Sequence, residues 1–249
     1  RVVAVPTDKE TWETMSLMFA TKQGMIRRTP LSSFNNVRAG GIHGMGLRDG
    51  DELVEVQICP DDRGDILISS RNGQAVRFPT ETLRPVASRT GLGVKGMNLK
   101  VGDEVMSMHL IQPEQATHIL SVTQRGFGKL SPVDDYPAKS RGTLGVISIK
   151  TTTRNGPVVS VLAVNGDDQI MIATSDGQII RTKVADISVM GRNTQGVKLF
   201  SVEKETNVSL VTRIPSDMLN PPEDTVEIED ITPDMLASTQ QDENESITE

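Results

Sequence analysis

Apolar residues in this chain come in short runs broken by glycine, asparagine and aspartate, too brief for helices and bounded by turn formers. Gln169-Ile170-Met171-Ile172-Ala173-Thr174 reads as one strand. Asp176-Gly177 predicts a tight type I′ turn, whose two central positions both need positive φ. Residues 178–182 return antiparallel. A loop over 190–196 leads to Val197-Lys198-Leu199-Phe200 as a third strand, and Val208-Ser209-Leu210-Val211 makes a fourth. The same order recurs upstream. Residues 66–68 turn at Asn72-Gly73 into 75–78, residues 119–122 turn near Arg125-Gly126 into 129–130, and residues 17–19 turn at Gln23-Gly24 into 25–28. Gly50-Asp51, Gly102-Asp103 and Asn155-Gly156 mark the turn before each fourth strand. Residues 79–83 and 186–189 allow a turn of helix at most.

The pattern repeats with a period of about fifty residues. Arg38, Arg89, Arg141 and Arg192 are 51, 52 and 51 positions apart, and each precedes a glycine and a β-branched residue: Gly41-Ile42, Gly93-Val94, Gly145-Val146 and Gly196-Val197. A period of this length means stacked or radial units, each unable to bury its apolar face alone. The expected fold is all-β, with propeller-like four-stranded antiparallel blades about a common axis. The units fall at about 15–58, 65–111, 117–164 and 168–214 within a domain over 1–215. Residues 1–5, Arg-Val-Val-Ala-Val, read like the end of an earlier repeat, so the chain is expected to be a fragment.

Composition changes this picture in one respect. The formal charge of −7 over 249 residues averages two different segments. Ten of the 33 acidic residues and none of the 26 lysines and arginines lie at 220–249, which leaves the remainder at +3. The stretch 216–249 is expected to be an acidic, disordered tail. That asymmetry points to a polyanionic partner and an internal competitor for it. A single cysteine excludes an intrachain disulfide framework or a cysteine-based zinc site, and the three histidines show no ligand spacing. No run has the length of a membrane span and the first residues do not read as a signal peptide, so the cytoplasm is the expected location. Gly91-Leu92-Gly93-Val94-Lys95-Gly96 fits a dinucleotide fingerprint, but the residues after it read as strand and turn where that motif needs a helix. No ordering of nucleophile, base and acid stands out. Acidic pairs such as Asp61-Asp62, Asp134-Asp135 and Asp167-Asp168 sit in turns.

The basic residues are placed periodically. Besides the loop arginines Arg38, Arg89, Arg141 and Arg192, the strand after each hairpin turn ends in a cation: Arg27 and Arg28, Arg77, Lys129, Arg181. Lys95, Lys139, Lys183 and Lys198 lie nearby. Cations at one phase of a repeat form a rim of positive charge, and a phosphate backbone rewards many spaced contacts without base identity. Aromatic residues are only 3% of the chain and show no repeat phase, which argues against single-strand stacking. No helix is available for the major groove. Duplex on a curved rim must bend, at roughly 1–6 kcal/mol per 20–30 base pairs, a cost that several phosphate contacts per blade offset. A protein-interaction propeller with an apolar patch is the second class weighed, and an enzyme with a central polar pocket the third.

Residues 174–182, Thr-Ser-Asp-Gly-Gln-Ile-Ile-Arg-Thr, resemble the repeat signature of the DNA gyrase A C-terminal domain family. So do residues 139–150, Lys-Ser-Arg-Gly-Thr-Leu-Gly-Val-Ile-Ser-Ile-Lys, and residues 191–197, Gly-Arg-Asn-Thr-Gln-Gly-Val. The resemblance extends to about Ile214. It implies a β-pinwheel that wraps duplex DNA on its basic perimeter and supports ATP-dependent negative supercoiling by a type II topoisomerase. It also implies an A2B2 holoenzyme with the gyrase A core and gyrase B, close to the nucleoid. On this reading the chain is not an enzyme alone. The strand-breaking tyrosine and the ATP and magnesium site lie elsewhere in the holoenzyme, and this chain holds no cofactor. The family's glutamine–arginine–arginine–glycine–glycine–lysine–glycine box is missing here, which keeps the equivalent domain of topoisomerase IV as an alternative. Leu130, where two sister repeats carry Arg77 and Arg181, departs from the ladder, with Lys129 adjacent.

Overall fold

The computed structural model describes residues 3–36, 39–60, 63–112, 116–202 and 206–219. Residues 1–215 form one unit and 216–249 a second, in which Ser216–Leu219 makes one turn of α-helix and the remainder of the tail lies outside the described residues.

Each repeat builds a hairpin and one long strand beside it. Blade 1 has β1 (Ser16–Thr21), β2 (Met25–Pro30) and β3 (Leu53–Cys59); blade 2 has β4 (Asp65–Ser70), β5 (Gln74–Pro79) and β7 (Val105–Ile111). Blade 3 has β8 (His118–Thr123), β9 (Phe127–Pro132) and β11 (Val158–Val164); blade 4 has β12 (Gln169–Thr174), β13 (Ile179–Lys183) and β15 (Val208–Ile214). The hairpin turns are one residue longer than the sequence suggests. The Gly177 amide donates to the Thr174 carbonyl and the Thr174 amide to the Gln178 carbonyl, so three residues connect the strands, with glycine in the left-handed region closing the loop.

In repeats 2 to 4 the third strand is only two residues long and does not join its own blade, and in repeat 1 the described residues around Gly41-Ile42 form no strand. β6 (Val94–Lys95) pairs with β2, β10 (Val146–Ile147) with β5, and β14 (Val197–Lys198) with β9. The strand orders are therefore β3-β1-β2-β6, β10-β5-β4-β7 and β11-β8-β9-β14. Blade 4 has the order β13-β12-β15, and among the described residues β13 carries no donated strand. Residues 3–7 form no strand, contrary to the sequence reading, because no described hairpin lies alongside to pair with them; Val3 and Ala4 instead line a shallow pocket with Val56 and Ile58 of β3.

Strand alternation explains the nearly continuous apolar runs. Successive side chains point to opposite faces, and the hairpins of blades 1 to 3 are covered on both, whereas in blade 4 the exposed positions of β13 and β15 leave one face open. Ile66 and Ile68 of β4 pack with Met18, Ile26 and Met97 between blades 1 and 2, while Leu67 packs with Ile119, Tyr136 and Ile149 between blades 2 and 3. Leu120 and Val122 of β8 turn the other way, onto Ile170, Ile172 and Val211 of blade 4. The core thus sits between units, so a single repeat cannot bury its apolar faces alone.

The long strands β3, β7, β11 and β15 pack on one another in succession and lie innermost. Gln57, His109, Ser160 and Thr212, one from each, line a cavity of about 320 Å³ at their convergence. The donated strands are the last in their sheets and therefore lie outermost, at the rim. Turn acids staple the hairpins. Asp51 accepts from Thr21 Oγ1 (2.6 Å) and the Gln23 amide (2.9 Å), and Asp103 from Ser70 Oγ (2.7 Å) and the Asn72 amide (3.0 Å).

Candidate nucleic-acid interface

Three of the loop arginines sit beside the outermost strands. Arg141 is exposed and its Nη1 donates to the Lys95 carbonyl of β6 at 3.1 Å. Arg192, half-buried, makes the same link one blade on, donating to the Ile147 carbonyl of β10 at 2.9 Å, with its guanidinium 5.7 Å from the Tyr136 ring centroid. Arg89 lies 6.0 Å from the Phe34 ring centroid. The aromatic positions follow the hairpin of the preceding repeat, where blade 2 has Leu83, so Arg141 has no ring to rest on. Among the described residues, none of these three arginines forms an ion pair with a carboxylate. A guanidinium has five N–H donors, and one bond to a carbonyl leaves the others open. Arg38 lies outside the described residues.

Other expected rim residues are also accessible. Lys139, Arg181, Lys183 and Lys198 are exposed, while Lys95 is half-buried and donates from Nζ to the Gln23 carbonyl at 3.1 Å. Arg181 uses its Nε on Gln169.

The hairpin cations are a correction. Arg27, Arg28 and Lys129 are buried, with 5%, 3% and 0% of their surface exposed, and cannot lie on the rim. Arg77 is half-buried and paired with Asp65 at 2.5 Å. The physical reason is strand exchange: the next repeat's loop lies over the second hairpin strand, so a side chain that would face solvent in an isolated repeat is roofed by its neighbour. Burial pulls the Lys129 ammonium down to about 8, helped by repulsion from Arg192 and opposed by Asp135. Burial likewise lowers Arg27 and raises the Tyr136 phenol.

The DNA gyrase C-terminal domain, beta-propeller family matches residues 16–60, 64–112, 117–165 and 168–212, which is most of the chain. The chain belongs to this gyrase family. DNA gyrase A of Salmonella typhimurium is 42% identical over 214 residues, covering 86% of this chain and 24% of the relative. DNA gyrase A of Staphylococcus aureus is 40% identical over 201 residues, covering 81% of this chain and 22% of the relative. The chain thus spans about a quarter of the length of the curated relatives it matches. Among solved structures, the C-terminal domain of DNA topoisomerase IV superposes with a TM-score of 0.78 at 26% identity, over 85% of this chain and 65% of that one. The DNA gyrase A C-terminal domain does so with a TM-score of 0.75 at 24% identity, over 83% and 68%.

Two exposed cations of this gyrase-type domain escape a reading by phase. Arg84 shares the loop of Arg89, and Lys150 follows β10. Neither has a counterpart at its phase in the sister repeats, so a reading by period passes over both. No helix among the described residues is long and apolar enough to cross a membrane, and no group of three or more His, Cys, Asp or Glu residues there could hold a metal ion.

Proposed function

We propose that this chain binds duplex DNA without regard to sequence, bends it and wraps it along the rim formed by the donated strands and their loops. Arg89, Arg141 and Arg192 make the central phosphate contacts, and Lys95, Lys139, Arg181, Lys183 and Lys198 flank them. The observation that carries this reading is the arrangement of the arginines: Arg141 and Arg192 each bridge to the outermost strand of the blade before, Arg89 rests beside Phe34, and all three are tethered by neutral partners. A phosphate can therefore bind without displacing a carboxylate. In the parent protein, wrapping supports ATP-dependent negative supercoiling by gyrase A together with gyrase B in an A2B2 assembly, in the cytoplasm near the nucleoid. The strand-breaking tyrosine and the ATP and magnesium chemistry belong to other parts of that assembly, so this chain is non-catalytic and holds no cofactor.

The test is a gel shift with long linear duplex across a salt series, together with the topology of relaxed circles ligated in the protein's presence. Affinity should fall steeply with salt, with a log–log slope of about −0.9 per phosphate contacted. Changing Arg89, Arg141 and Arg192 to glutamate should abolish both the shift and the change in linking number. A flat salt response, or full retention by the triple variant, overturns the proposal. The likeness to the topoisomerase IV domain favours a second reading, in which the chain is that enzyme's equivalent part. Binding with no change in linking number would favour it.

A further inference from the structure

We infer that one hairpin cation in each of blades 1 to 3, buried Arg27 and Lys129 and half-buried Arg77, is a positioning residue that holds the phosphate-binding loop of the next repeat at the rim. The inference rests on the duplex-binding reading for its consequence and on geometry for its mechanism.

Arg27 and Lys129 occupy one phase of the hairpin and Arg77 the adjoining one, two residues rather than three before the closing proline, and each reaches forward into the following repeat. Arg27 donates from Nη2 to the Val86 carbonyl (3.4 Å), at the foot of the loop bearing Arg89, and its Nε is held by Thr29 Oγ1 (3.1 Å). A side chain at Gly91 would overlap the Arg27 guanidinium, so loop backbone and cation are in direct apposition. Arg77 donates from Nη1 to the Val133 (3.0 Å) and Tyr136 (3.1 Å) carbonyls, just ahead of Lys139 and Arg141. Lys129 donates from Nζ to the carbonyls of Gly191 (2.5 Å) and Arg192 itself (2.6 Å), with Ser131 Oγ as its third partner at 3.1 Å. Arg181, at the position of Arg77 in blade 4, has no donated loop over it among the described residues and is exposed.

Burying a cation is costly unless hydrogen bonds replace its hydration. For Lys129 those bonds come from Ser131 and two loop carbonyls, so the position of the loop and the solvation of the ammonium depend on each other. The charged groups facing Lys129 act in opposite senses. Arg192 above it repels, which discourages that guanidinium from folding inward, while Asp135 on the segment after β9 attracts weakly. Ser131 Oγ extends the hold to the Met190 carbonyl at 2.7 Å. The rim cations are thus set by side chains that never touch the nucleic acid.

The experiment uses the full 249-residue chain with Lys129→Gln, Lys129→Arg, Arg192→Gln and the Lys129→Gln/Arg192→Gln double variant. Amide hydrogen exchange without DNA should quicken by roughly tenfold or more at Met190 and Thr194 in Lys129→Gln, with blade 1 unchanged. Duplex affinity should fall in Lys129→Gln about as far as in Arg192→Gln, and the double variant should be no weaker than Arg192→Gln alone. Lys129→Arg should restore both readouts. Unchanged exchange, or losses that add in the double variant, overturns the inference. If Arg192→Gln leaves duplex affinity intact, the binding assignment of Arg192 fails while the exchange result still decides the positioning role. Should Lys129→Gln not fold, Arg27→Gln with Arg89→Gln reads the same relation two blades earlier.

Discussion

Lys129 Nζ has no solvent exposure and rests on two loop carbonyls, and this environment sets its response to pH. Its folded pKa is about 8, against roughly 10.4 in the unfolded chain. Between those values the unfolded state holds a proton that the folded state has released. Stability therefore rises with pH across that window, and the unfavourable contribution is fully present below it. Relative to Lys129→Met, the wild-type chain should gain roughly 1–3 kcal/mol from pH 8 to 10.4 in urea unfolding. Parallel pH curves for the two proteins would exclude the assignment. Gly145 supplies a second residue-scale test. Its φ is +73° and a Cβ there would overlap the Ala75 carbonyl oxygen, whereas Gly41, at +76°, has open space around it. Gly145→Ala should destabilise by more than the roughly 1–3 kcal/mol of left-handed strain, and Gly41→Ala by no more than that strain. Equal losses in urea titrations would mean that the close approach is unimportant. The glycine-plus-β-branched signature was legible in sequence, but the carbonyl it packs against lies in another repeat.

The hairpins could be read residue by residue because a strand, a turn glycine and a returning strand are local events. The donated strands could not. Val146-Ile147 looks like part of its own repeat, yet it pairs with Ala75 and Gln74, because two residues cannot hold a register without an edge to join. The same reasoning applies to β13. Ile179, at the position where Ile26, Ala75 and Gly128 each receive a strand, is 66% exposed. An unpaired apolar edge invites pairing with another chain, and a charge there suppresses it. Sedimentation velocity should show less concentration-dependent self-association for Ile179→Lys than for the wild-type chain. Identical behaviour would show that this edge is protected in solution.

Across the whole molecule, charge is divided as sharply as structure. The repeats carry a mild positive excess and 220–249 a dense negative one. If the tail competes with duplex for the rim, deleting 220–249 should tighten binding at low salt and have little effect at high salt, where such attraction is screened. Unchanged affinity at low salt rejects the competition. The candidate interface was half legible. Arg89, Arg141 and Arg192 were marked by period alone, whereas Arg27 and Lys129, equally periodic, and Arg77, one position along, turned out to lie under their neighbours. Periodicity reports that a residue faces the same way in every unit; it carries no information on whether the next unit covers it. The order of strands, the turns between them and the blade-to-blade apolar surfaces followed from sequence, since propensity and alternation act over a few residues. Which strand crosses to which blade, and which cation ends in water and which beneath a loop, depended on contacts between residues a full repeat apart, and only the assembled array settles those.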